Sequence, residues 1–168
     1  TVVQMKGSVT GSVGSGGSLM MNLAGVWAEP ADSYTMTVDG ALNLDRSTFS
    51  NPETGLRLIS PAGVFYNGAV LSSRGDGLVF QGNQGGLDFN FGYVDSSAND
   101  GAVFDGATNA LIRNLQVAHS GGNDVVLRNT SVAELRDATY DAGKVSVGSG
   151  SVLTRSWPTT FRLVMQSG

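Results

Sequence analysis

The chain has 168 residues, of which 14% are charged, 24 are glycine, and the net charge is −4. That length suits one domain with a sizeable core. Lysine appears only as Lys6 and Lys144, so there is no basic patch to meet phosphate and no nucleic-acid partner is expected. No run is apolar for long enough to span a bilayer as a helix, which argues against membrane insertion, and the absence of cysteine excludes disulfides and thiolate metal ligands.

In chain order, residues 1–35 read as a Gly/Ser-rich arm and an N-terminal cap. The opening Thr-Val-Val-Gln-Met-Lys lacks the basic-then-apolar plan of a signal peptide. A start at Thr1 fits equally a small protein that has lost its Met and an excised fragment. GSVTGSVGSGGS follows, with Val9 and Val13 interspersed; it reads as a flexible arm, or as an extended strand that orders against a partner. SLMMNLAGVW, residues 18–27, opens on a candidate Ser cap and carries Leu19, Leu23, Val26 and Trp27 near one face, so a short capping helix and a strand both remain open.

From about residue 36 the sequence repeats itself. Residues 76–99, DGLVFQGNQGGLDFNFGYVDSSAN, align without a gap on residues 100–123, DGAVFDGATNALIRNLQVAHSGGN. A third copy begins at Asp124 and shortens; 56–75 and 36–55 follow the same plan with a few residues missing. Each copy runs short apolar strand (Leu78-Val79-Phe80, Ala102-Val103-Phe104), small polar turn, second strand, Asn, third strand and polar turn. The runs are too short and too closely followed by turns for helices. Three strands per 21–24 residues predicts an all-β, parallel β-helix solenoid of about five coils over 36–143, each strand about 4.8 Å from its copy in the next coil. Residues 144–168 are left as a C-terminal cap or assembly tail, in which Trp157, Phe161, Leu163 and Met165 lie over the last coil or against a neighbouring subunit.

Polar residues mark the coils. Asn43, Asn67, Asn90, Asn114 and Asp137 are separated by 24, 23, 24 and 23 residues. Asn tolerates the left-handed backbone of a tight bend, and stacked amides satisfy one another, so these positions predict a structural ladder with Leu44, Gly68, Phe91, Leu115 and Ala138 pointing inward. The Asp at the foot of the ladder suggests that the coil ends there.

The segment GAVFDGATNALIRNLQVAHSGGNDVVLRNTS resembles coils of right-handed parallel β-helix proteins of the pectate-lyase-like superfamily, most of all the short forms of bacteriophage tailspikes and fibres. The resemblance covers about residues 36–143. It implies the fold, but the fold hosts lyases, hydrolases, epimerases and inert spikes alike.

The sets that resemblance would supply for catalysis are missing. There is no cluster of acidic Ca²⁺ ligands with a basic partner, and no Gly-His-Gly element with a downstream Arg-x-Lys. His119, the only histidine, sits in a Ser/Gly-rich turn and reads as a solvated residue. Asp76, Asp100 and Asp124 recur at a fixed step and are the candidate metal ligands; the same residues serve Asx turns, and that reading is preferred. Asp88, Asp95 and Asp105 fall on different parts of the repeat. Arg74-Gly75-Asp76 spells an adhesion tripeptide, but Asp76 is already explained by the repeat. Tyr66, Phe89 and Tyr93 form a glycan-binding stripe if they point outward; inward packing is preferred.

These features predict a non-enzymatic structural or adhesive protein of a bacteriophage or phage-like virion, placed as tailspike, tail fibre, head fibre or capsid decoration. Its expected partners are its own copies in a homotrimer, other virion proteins and host-surface polysaccharide, and no catalytic residue, cofactor or resident metal is expected. The rival is a polysaccharide lyase or glycoside hydrolase of the same superfamily.

Overall fold

A computed structural model describes residues 1–158. Among them there is no helix, and every strand pairing is parallel. The chain winds as a three-faced solenoid. After β1 (Val2–Met5), the first coil is β2 (Ser8–Val13), β3 (Ser18–Asn22) and β4 (Gly25–Ala28). The second is β5 (Ser33–Val38), β6 (Ala41–Asp45) and β7 (Thr48–Ser50). In the next three coils the second and third strands fuse: β8 (Leu56–Ile59) with β9 (Ala62–Leu71), β10 (Leu78–Asn83) with β11 (Leu87–Asp95), and β12 (Ala102–Thr108) with β13 (Ala110–Ala118). The chain continues through β14 (Val125–Arg128) and β15 (Val132–Arg136) to β16 (Val145–Val147) and β17 (Val152–Ser156).

Face 1 stacks β2, β5, β8, β10, β12, β14 and β16, one strand per coil, so the described residues form seven coils rather than five. Coil length runs from 20 residues, Val125 to Val145, to 25, Ser8 to Ser33. The two extra coils come from segments whose composition suggested an arm and a tail. In β2 the sequence Ser-Val-Thr-Gly-Ser-Val alternates exposed and half-buried positions, which is a strand pattern once a neighbouring strand is present. Residues 18–27 are likewise two strands, not a helix. At the other end Asp137 does not terminate the coil: its N–H donates to the Ser156 carbonyl of the next one. Of the tail residues, Trp157 is exposed, while Phe161, Leu163 and Met165 lie outside the described residues.

One continuous core fills the interior, because every coil contributes inward side chains at the same positions. Phe65 stacks on Phe89 at 4.4 Å and Phe80 on Phe104 at 4.8 Å, with Phe80 edge-on to Phe89. Tyr34, fully buried, donates its hydroxyl to the Val26 carbonyl, which removes the penalty of burying it. In the last coil Arg155 occupies the register position below Leu135, and its guanidinium lies 4.6 Å from the Tyr140 ring centre and 4.8 Å from that of Trp157.

The corners are made by single residues in the left-handed region. Between face 2 (β3, β6, the first halves of β9, β11 and β13, then β15 and β17) and face 3 (β1, β4, β7 and the second halves of β9, β11 and β13) they are Leu23, Arg46, Asn67, Phe91, Asn114 and Asp137, with φ from 46° to 58°. The asparagine ladder is therefore corrected. Asn67, Asn114 and Asp137 share this column; Asn43 instead stands beside Val64, and Asn90 beside Tyr66 and Arg113. The spacing tracked the length of a coil, but the corner residue itself is free to differ because its side chain projects outward. The amides are not buried: Asn43 and Asn67 are exposed, and one bond links neighbours, Asn114 Nδ2 to Asn90 Oδ1 at 2.7 Å. The inward neighbours of the corner are Ser47, Gly68, Gly92, Leu115 and Ala138; Phe91 is not among them.

Candidate functional site

Face 2 carries a series of concave depressions. Its outward side chains form two rows along the coil axis. One is Met20, Asn43, Val64, Asp88, Leu111 and Glu134; the other is Asp45, Tyr66, Asn90, Arg113, Arg136 and Ser156. Depressions lie over the first row from end to end. The largest, about 640 Å³, is lined by Gly85, Gly86, Asp88, Asn90, Asn109 and Arg113 among others. Two consecutive glycines leave space where other coils have side chains, so the groove there reaches the backbone.

The charges on this face are satisfied in pairs. Arg113 meets Asp88 at 2.8 Å across adjacent coils, Arg136 meets Glu134 at 2.8 Å, and Arg46 meets Asp45 at 2.9 Å. Hydrogen bonds from Ser156 and Arg136 hold the Glu134 carboxyl below the usual glutamate range. Asp88 and Glu134 stand two coils apart in one row, which is about 10 Å at the coil repeat. An acid catalyst in glycoside cleavage needs a raised pKa; the shift at Glu134 has the opposite sign.

The three aromatic candidates separate. Phe89 is 0% exposed and belongs to the core. Tyr93 is half-buried on face 3. Tyr66 is 42% exposed beside the groove, and its ring meets Phe91 edge-on at 5.7 Å. Phe91 was expected inward; instead it holds the corner position at φ 58° and is 46% exposed. A bulky residue at positive φ is strained. Sequence alternation failed here because a left-handed residue breaks the in–out rhythm, and an Asn-Phe-Gly run does not announce which of its residues will turn.

The acidic candidates do not converge. Asp76 and Asp100 stack, but the next place in that column is held by Asn123, since the following coil is one residue shorter. Asp100 accepts from the Asn123 N–H at 2.7 Å, a bond between coils rather than the local Asx turn expected. Asp124 is one register step further on, 3% exposed, and accepts from the Asp141 N–H at 2.8 Å. Among the described residues no group of three or more His, Asp or Glu side chains is placed to hold a metal ion. His119 occupies a left-handed corner and pairs with Asp95 at 2.7 Å, which lowers the Asp95 pKa. Arg74 is not free for adhesion: it donates to the carbonyls of Glu29, Pro30 and Asp32 and pairs with Glu53, clamping that turn to the third coil.

No protein-family model matches the chain, and no curated protein matches it either.

Proposed function

We propose that the chain is a non-enzymatic, structural and adhesive module of a bacteriophage or phage-like virion, and that it holds host-surface glycan along face 2. The observation that carries this reading is the exposed Tyr66–Phe91 pair at the rim of a groove furnished with Asp88, Asn90, Asn109 and Arg113. Sugar rings present apolar faces to aromatic side chains and hydroxyls to planar amides, carboxylates and guanidinium groups. The strain at Phe91 is accounted for if the exposed ring is needed where it stands. A rigid solenoid also suits a spike or fibre, whether in a homotrimer or seated on other virion proteins. On this reading the protein belongs to the extracellular particle.

The test is binding of capsular polysaccharide and lipopolysaccharide to the full chain and to Tyr66→Ala and Phe91→Ala. Each variant is expected to weaken binding by roughly 2- to 13-fold, from about 0.5–1.5 kcal/mol per aromatic contact. No binding to any surface glycan, or binding indifferent to both variants, would contradict the reading. Release of reducing ends or unsaturated product that disappears in Asp88→Asn or Glu134→Gln would overturn it in favour of a lyase or hydrolase.

A further inference from the structure

Two arginines stand side by side in the second row of face 2. Arg113 and Arg136 are register partners on β13 and β15, about 5 Å apart at the coil repeat. Left to themselves they would form a fork for a carboxylate or sulfate. Neighbouring carboxylates cancel them. Asp88, one coil earlier, accepts from Arg113 Nη1 at 2.8 Å, and Glu134 accepts from Arg136 Nη2 at 2.8 Å within the same strand. Asp45 does the same for Arg46 at 2.9 Å. Three carboxylates thus hold three guanidinium groups along the face, and all six side chains remain partly open to solvent.

Much of the hydrogen-bonding capacity left in the groove is that of acceptors. Arg113 engages one oxygen of Asp88 and leaves Oδ2 for a ligand. Ser156 Oγ and Arg136 both donate to Glu134 Oε1, at 2.7 and 2.8 Å, and leave Oε2. Asn109 spends its Nδ2 on Asn83, which leaves its Oδ1. Gln84, buried in the lining of the largest depression, donates its Nε2 to the carbonyls of Leu58 and Gln81, and its Oε1 has no partner among the described residues. That oxygen lies below the surface, where its dipole disfavours an anion above it. A sugar hydroxyl can donate to the exposed acceptors. A sugar carboxylate cannot, and it would stand within a few ångströms of charges of its own sign.

We infer, on the glycan reading of face 2, that the groove takes neutral polysaccharide and that Asp88 and Glu134 are the residues that reject acidic chains. An anionic sugar reaches Arg113 or Arg136 only by displacing a carboxylate that stays beside it. At about 5 Å in water-like surroundings, two such carboxylates weaken its binding about tenfold. Specificity of this kind needs a repulsive element as well as an attractive one. The Tyr66–Phe91 pair supplies attraction to the apolar face of a sugar ring whether or not the ring is charged.

The test is binding of the full 168-residue chain to a panel of surface polysaccharides, some neutral and some carrying uronic or sialic acid. Each neutral binder is also assayed after oxidation of its primary hydroxyls to carboxylates. The parent is expected to bind neutral members, to lose about tenfold on their oxidation at low salt, and to recover part of that loss as salt screens the repulsion. In the double variant Asp88→Asn/Glu134→Gln the preference for the neutral form is expected to fall by about threefold or more, or to reverse, because Arg113 and Arg136 are then uncovered. Circular dichroism checks its fold; Asp88→Asn alone, at a side chain that is mostly exposed, is expected to move the preference in the same direction. A parent that prefers acidic chains, or a preference that both variants leave unchanged, would overturn the inference while leaving face 2 a glycan site. Absence of binding to every member would instead remove the glycan reading itself, and this inference with it.

Discussion

Phe80 and Phe89 meet edge to face in the core; Phe80 also stacks face to face on Phe104 in the next coil, and Phe89 on Phe65 in the preceding one. Truncation of either leaves a void that strands on three faces cannot collapse to fill. Phe80→Ala and Phe89→Ala are each expected to lower unfolding free energy by about 3–5 kcal/mol in denaturant titration. Asn114 is a milder case. Its left-handed backbone and its bond to Asn90 are half-exposed, so Asn114→Ala should lose about 1–2 kcal/mol and Asn114→Gly less. Asp105 gives a pH signature. Burial pushes its pKa up, but hydrogen bonds from Asn129, Arg128 and Gln81 together outweigh this and hold it below the ordinary value. A depressed folded pKa contributes stability above the unfolded pKa, and that contribution is lost as pH falls through the folded value. Melting temperature should therefore drop as pH is lowered below about 4, and Asp105→Asn should flatten that part of the profile while lowering stability at neutral pH.

At the scale of the element, the corner between faces 2 and 3 needs one left-handed residue followed by a small or inward one. Gly68 and Gly92 fill the inward place in two of the aromatic coils because the preceding phenylalanines occupy the room: a Cβ on Gly68 would lie 2.6 Å from the Phe65 ring, and one on Gly92 closer still to Phe89. Gly68→Ala and Gly92→Ala should each cost about 1–3 kcal/mol by overpacking, measured by chemical denaturation. This explains what the sequence could and could not reveal about the corner. The coil period, the strand runs and the aromatic layers are visible as spacing and composition. Which residue turns is not, because Leu23, Arg46 and Phe91 reach the same φ as asparagine when the strands on both sides hold them there. The sequence offers Tyr66 as a possible contact but favours inward packing for it, and it is exposed. Phe91 was assigned to the wrong side, and the pairing of Asp88 with Arg113 depends on a register that a one-residue difference in coil length would shift.

For the whole molecule, the end coils decide the architecture. Composition marked residues 1–35 and 144–168 as arm, cap and tail, because glycine and serine dilute the apolar pattern there. Val9, Val13, Val145 and Leu153 nonetheless continue the core, since a coil laid on an existing coil needs only a few inward side chains. Amide hydrogen exchange resolved by residue tests this most directly. Four amides are informative: Leu23, bonded to the Asp45 carbonyl, Ser33 to Gly7, Gly148 to Leu127 and Val152 to Ser131. A continuous seven-coil solenoid predicts slowed exchange at all four, with protection rising toward β10 and β12 in the middle of the stack. Free-chain exchange at Leu23, Gly148 and Val152, beside protected amides between residues 36 and 143, would contradict it.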